Sequence, residues 1–470
     1  MNQIILVKDI RLMFKDLKFQ IFFLILVVLF ILSAISSSVS FISKQKSFQN
    51  ERNRFNDLVA DGQHIQLIQL LQNRMLMVAS PPSPAVLFSE YDNYPDIINT
   101  GIMFYEPEFS NNNIGLRRMF RLNWLFILGM IMGLMMLIMS FEAISQEKRA
   151  GTLRLLTING VKRQSIIWHK YISYLILYLI VIIPASMTSM ILFFALTGTW
   201  SMTFMLKFLL IILISIPFAS FFVWLGIFIS MSKNHRNTIV MVMFIWAFFV
   251  VIVPQAAIII AKQVSSIKTV IEYREIREQA RYDEMMRQAE EENDIMSLSF
   301  EDFFALLASN INVADEKKNQ ALQREIEENM RQTRMIRGIA GISPFMQFVN
   351  ISEIVFDKGF YLLNFQQETT KQAINQIKNL MIEQDSRDET SHNLLYSYAY
   401  VQRLVFNRRG ETPFSEELFE HPHLLFVTEI ETDDVPSKIM EILMKLIPIL
   451  VLNLVLMVGA VGKFERLDIR

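Results

Sequence analysis

Catalysis and metal binding need particular side chains at particular spacings, and few residues of this chain qualify. It has no cysteine, which excludes disulfides, thiolate metal sites and cysteine nucleophiles. His421 and His423 in EHPHLLF are placed as two metal ligands could be. With Pro422 between them and no third histidine nearby, they are expected to be surface residues, and no metal is assigned. Glu290, Glu291, Glu292 and Asp294 form an acidic run that reads as a solvated helix end or loop rather than a cation site. Met130, Met132, Met135, Met136 and Met139 could offer thioethers to Cu(I), but within one apolar stretch they read as adaptable packing. The pair Gly462 and Lys463 lacks the upstream glycine and following hydroxyl residue of a phosphate-cradling loop. No HExxH, Ser/His/Asp order or paired carboxylate stands out. The chain therefore reads as non-enzymatic, with no cofactor of its own.

One polar stretch stands apart: FEAISQEKRAGTLRLLTINGVKRQSIIWHKY, residues 141–171. Glu142, Glu147, Lys148 and Arg149 are spaced for a polar helical turn. Gly151 interrupts it, and Thr152 can cap a second short helix presenting Leu153, Leu155 and Leu156 beside Arg154. Asn159 and Gly160 give a turn signal before Lys162, Arg163 and Lys170. Mixed charge beside exposed leucines is how a short helix docks in a groove on a soluble partner. The other reading is an amphipathic loop lying on lipid headgroups. A second basic stretch, VKDIRLMFKDLKF, sets Lys8, Arg11, Lys15 and Lys18 against Ile5, Leu6, Leu12 and Phe14, as suits an interfacial helix on anionic lipid.

Apolar helices must hold these stretches. Hydrophobic residues make up 52% of the 470, charged residues 19%, and the net charge is −1. That balance favours a lipid bilayer as solvent and gives no whole-protein attraction to nucleic acid. Six stretches are long and apolar enough to cross a hydrocarbon core of about 30 Å: 19–41, 122–141, 171–196, 208–231, 238–261 and 446–462. The first is too long for a signal-peptide core and reads as a retained anchor. The fold class expected is an all-α membrane protein of six transmembrane helices. Gly129 and Gly133 are spaced for close helix packing, within one subunit or between two. Pro184, Pro217, Pro254 and Pro448 should kink spans three to six.

Lysine and arginine near the membrane mark the cytoplasmic side. They precede span one, lie between spans two and three, recur between four and five as Lys233 and Arg236, and follow span six as Lys463, Arg466 and Arg470. Both termini are then cytoplasmic, with an elbow helix at 1–18, a coupling segment at 142–170 and a tail at 463–470. Two segments, 42–121 and 262–445, become extracytoplasmic domains. The larger is expected to be mainly helical, from the spacing of Val264, Ile267 and Ile271, of Leu322, Ile326 and Met330, and of Ile374, Ile377 and Met381. The PPSP cluster at 81–84 reads as a turn or rigid linker. No span carries an ionisable residue in its central apolar run, so none offers an ion- or proton-coupling site. Any work must come from a partner.

The string SQEKRAGTLRLLTINGVKR followed by IIWHKY resembles the coupling segment of type-2 ABC exporter permeases. LNW at 122–124, Trp246 and Pro254, ISP at 342–344 and NFQQ at 364–367 resemble the branch of that family with a large extracytoplasmic insertion. The resemblance implies a permease subunit in a bacterial inner membrane. Residues 142–156 would rest on a separate nucleotide-binding subunit that holds ATP and Mg, and the elbow helix would border it. It also implies a second permease half, a second copy or a related chain. Relatives serve different cargoes, so the resemblance names none; charge-free spans point to an amphipathic one. Two other functions fit the same sequence: a lever acting on an extracytoplasmic partner without transport, and a receptor or scaffold without an ATPase.

Overall fold

Side chains that are apolar all round a long helix can be satisfied only by lipid or by other helices. In the computed structural model, which describes residues 2–60, 76–79, 83–88, 97–100, 122–232, 238–265, 267–291, 300–387, 426–427 and 435–467, all six apolar stretches are helical. Helix α1 (Asn2–Lys15) precedes α2 (Leu17–Ala60), the first span. The second, α3, runs as Trp124–Phe126, a π-helical turn at Ile127–Met132, and Gly133–Ser140. Short helices α4 (Ser145–Arg149) and α5 (Thr152–Ile158) lead into α6 (Arg163–Thr197), and α7 (Met202–Ser230) follows. The fifth span, α8, repeats the device of α3: Thr238–Ala247, a π-helical turn at Phe248–Ile252, and Val253–Val264. Beyond it come α9 (Val270–Glu291), α10 (Phe300–Ala340), α11 (Pro344–Phe356), α12 (Gly359–Arg387) and the last span, α13 (Val435–Glu465).

Among the described residues, six helices are thus long and apolar enough to cross a membrane. Several helices outrun the stretches expected of them: α6 starts at Arg163 rather than 171 and α7 at Met202 rather than 208. α2 continues well past residue 41, and α13 starts at Val435 rather than 446, because Lys438 is neutralised by Asp357 and the helix runs through the charged residues. α3 and α7 are the most enclosed spans. α2, α8 and α13 leave apolar faces open, with Leu24, Val28, Val240, Phe244, Leu454 and Val455 exposed. Pro184, Pro217 and Pro448 lie inside continuous helices.

α11 departs from expectation. The sequence reads as one domain outside the bundle over residues 262–445, yet all of α11 is buried and packs against α7, α13 and the π-helical turns of α3 and α8. Two details seat it. Ser343 caps the helix, and its hydroxyl also donates to the Phe249 carbonyl. That carbonyl is available because in a π-helical turn its partner would be the amide of residue 254, which is proline. Phe345 then lies where Gly129 has no side chain: a Cβ there would stand 2.3 Å from the ring. At its other end Asp357, in the left-handed region at φ 53°, pairs with Lys207 of α7 at 2.6 Å and with Lys438 of α13.

At this same end α9 and α10 form an antiparallel hairpin. Thr269 and Glu272 make a reciprocal capping box that starts α9. Tyr273 donates to Glu328 at 2.7 Å, Arg277 pairs with Glu325, and Lys318 with Glu278 at 2.7 Å. Leu322, Ile326 and Met330 are buried along α10, and Ile374 and Ile377 along α12, on the faces their spacing foretold, whereas Val264 and Ile271 of the third expected face are exposed because α8 ends at Val264. Three short strands, β1 (Leu76–Ala79), β2 (Ile97–Thr100) and β3 (Phe426–Val427), form a sheet in the order β2-β1-β3, antiparallel then parallel. The two long segments between spans meet there. Ser83 caps a 3-10 turn, Pro84–Leu87, and Phe88 beside it enters the core, stacked 4.0 Å from Phe356.

Candidate functional site

The end of the bundle that gathers α1, α4, α5 and the starts of α2 and α6 carries most of the expected site residues. Gly151 breaks the chain between α4 and α5 at φ 71°, and Gly160 ends α5 at φ 77°, both conformations that glycine adopts without strain. Thr152 is not the cap: Gly151 holds that position, and the Thr152 hydroxyl donates to the Glu147 carbonyl at 3.2 Å. Nor does α5 present all three leucines. Leu153 is 1% exposed and joins the core, Leu156 is partly buried, and Leu155 at 60% and Ile158 at 70% face outward. Ile158 was missed by sequence reading, though it lies three residues beyond Leu155 on the same helical face. Lys148, Arg149 and Arg154 are exposed around this apolar pair.

Acidic residues of the segment turn inward. Glu142 accepts from Lys18 at 2.8 Å, with Arg149 at 3.9 Å. Lys170, whose side chain is 9% exposed, donates to Glu147 and, at 3.0 Å, to Asp9. One buried ammonium therefore joins α1, α4 and α6. Asp9 was not singled out in the sequence, where nothing local marks it. Its second carboxyl oxygen is buried without a hydrogen-bond partner among the described residues. Burial pushes the Asp9 carboxyl above the ordinary aspartate value, against the opposing pull of Lys170. Lys8, Arg11, Lys15 and Lys18 are all exposed, and so are Leu12 and Phe14 of the apolar set.

Arg163 faces the last span, donating to the carbonyls of Glu465 at 2.8 Å and Leu467 at 3.0 Å. The first is a C-terminal carbonyl of α13, which needs a donor, and the second lies just past the helix end. Lys463 serves α7 in the same way through the Phe228 carbonyl at 3.0 Å. Gly129 and Gly133 receive the rings of Phe345 and Phe222, so the pair packs within this chain. Deeper in the spans, the hydroxyls of Tyr171 and Ser220 lie 2.8 Å apart, and Ser220 donates to Asn453 at 2.7 Å. Asn453 in turn donates to the Pro217 carbonyl at 2.9 Å, tying α6, α7 and α13 together. Lys233, Arg236, Arg470, His421, His423, Glu292, Asp294, Pro81 and Pro82 lie outside the described residues.

Six apolar helices among the described residues, with a charged elbow sewn into one end, define a multi-pass helical membrane protein. A family model described as "ABC-2 family transporter protein" matches residues 3–377, about four fifths of the 470, and the chain belongs to that family. No curated protein and no solved structure matches it. Membership makes the chain a permease subunit of an ABC transporter, with an ABC ATPase and the lipid bilayer as partners.

Proposed function

We propose that the chain is the membrane half of an ATP-driven exporter, in a bacterial inner membrane with both termini cytoplasmic. The ATPase, a separate subunit that holds ATP and Mg, docks on α5 and α4. Its closure on ATP moves these helices, and the ties Glu147–Lys170–Asp9 and Glu142–Lys18 pass the movement to α1, α2 and α6. A second permease half completes the path for an amphipathic substrate. One observation carries this reading: Leu155 and Ile158 stand exposed on a short helix whose opposite face, at Leu153, is locked into the bundle core. That is the form of a transmitting surface.

The test is co-purification with the ATPase, followed by ATP hydrolysis and vesicle transport assays. Leu155→Asp with Ile158→Asp should abolish ATPase retention while the chain melts as before, because both side chains are already in solvent. Full retention with both aspartates would overturn the docking surface. A second reading is favoured by the α9–α10 hairpin, whose 41-residue helix α10 is about 60 Å long. Such an arm suits a lever on an extracytoplasmic partner better than a simple pore.

A further inference from the structure

A cleft of about 1160 Å³ opens between α4, the end of α7 and the end of α13. Lys148, Arg149, Lys463 and Arg466 line it, and among the described residues no carboxylate does. The Lys463 ammonium caps the Phe228 carbonyl at 3.0 Å and sits 4.2 Å from that ring, so it is fixed in the wall by α7. Arg149 also reaches Glu142 at 3.9 Å from outside the cleft. The floor is apolar and low. Gly459 and Gly462 leave the α13 wall bare, and a Cβ on Gly462 would meet nothing within 4 Å. From there the floor runs on through Val458 to Val455 and Leu454, the exposed apolar face of α13.

A basic mouth at the end of two spans, continuous with an apolar track along one of them, matches a molecule with an anionic head and a hydrocarbon tail. We propose that this cleft binds the phosphate headgroup of an anionic phospholipid, with an acyl chain lying along α13. A phosphate placed between Lys463 and Arg466, the cations at the end of α13, is attracted by both. Gly462 is then a specificity device, since a larger residue would fill the space the headgroup takes. This inference shares α4 with the proposed ATPase surface, so it is tested at the end of α13, at Gly462 and Arg466, which lie outside that surface.

Native mass spectrometry of the full chain in neutral detergent, with phosphatidylglycerol, phosphatidylcholine or inorganic phosphate added, tests it. Phosphatidylglycerol should be retained at least tenfold over phosphatidylcholine, and equimolar inorganic phosphate should not displace it. Arg466→Gln should weaken retention about fivefold, the effect of one cation at a charged lipid surface. Gly462→Leu should abolish it without lowering the melting temperature, since leucine is the better helix former and has open space. Equal retention of the two lipids, displacement by phosphate alone, or retention unchanged in both variants would overturn the proposal. So would variants that keep the lipid but lose the ATPase, which would make the cleft a protein interface. Should Gly462→Leu fold poorly, Arg466→Gln, at an exposed position, decides alone.

Discussion

Among the described residues Lys170 is the cation that pairs with both Asp9 and Glu147, and its removal would leave two carboxylates facing each other out of water. Breaking a buried ion pair from one side costs about 3–5 kcal/mol, so Lys170→Met should lower the melting temperature in detergent by several degrees. Adding Asp9→Asn should recover much of that loss, because it removes one of the two stranded charges. A simple additive result in this double-variant cycle would show that the residues do not act through each other. Asp9 also makes stability depend on pH. Its folded carboxyl holds a proton more tightly than the unfolded one. The stabilisation is therefore complete below the ordinary aspartate value and is lost as pH rises through the raised one. Melting temperatures taken upward from about pH 4 should fall along this branch in the native chain, and Asp9→Asn should flatten it.

At the scale of elements, α11 depends on a gap in its neighbour. A methyl group on Gly129 would overlap the Phe345 ring, and overpacking of this kind costs about 1–3 kcal/mol. Gly129→Ala should destabilise the bundle, and Phe345→Leu should relieve it in the double variant; thermal melting of the four proteins measures the coupling. Ser343→Ala should also destabilise, by about 1–2 kcal/mol, as both a helix cap and a buried carbonyl lose their partner. The spans were legible because a run of about twenty apolar residues matches the thickness of the hydrocarbon core and exceeds what a soluble core helix usually buries. α4 and α5 were legible because Gly151 and Gly160 punctuate them. α11 was not, since thirteen residues are too few to span and Gln347, Asn350 and Glu353, three apart, read as a solvent-facing stripe, whereas Arg337 of α10 bonds Asn350 and Glu353 and the face is buried. The face that Leu153 takes was equally hidden, for a seven-residue helix has too few turns to fix its own orientation. Contacts such as Asp9 with Lys170 join residues far apart in the chain, and no local pattern announces them.

For the whole molecule, the position of α11 changes how transport and leverage can be told apart. Deleting everything from 263 to 435 would remove α11 and with it the anchors on Phe249, Lys207 and Lys438, so any loss of function would mean only a broken bundle. The informative cut is smaller. Tyr273 with Glu328 and Arg277 with Glu325 pair the base of the hairpin; removing residues 282–320 and closing the ends with a short Gly-Ser turn keeps both. The base stays helical because its buried row, Leu322, Ile326 and Met330, is retained. An exporter with an unneeded arm should keep ATP-dependent transport in vesicles within about twofold of the native chain, a change worth under half a kcal/mol of barrier. A lever should keep its ATPase and its ATP hydrolysis and yet lose its action on the partner, since work would still enter at α5 and no longer leave through the arm. Loss of hydrolysis itself would contradict both, because it would place the arm in the path between the ATPase and the spans.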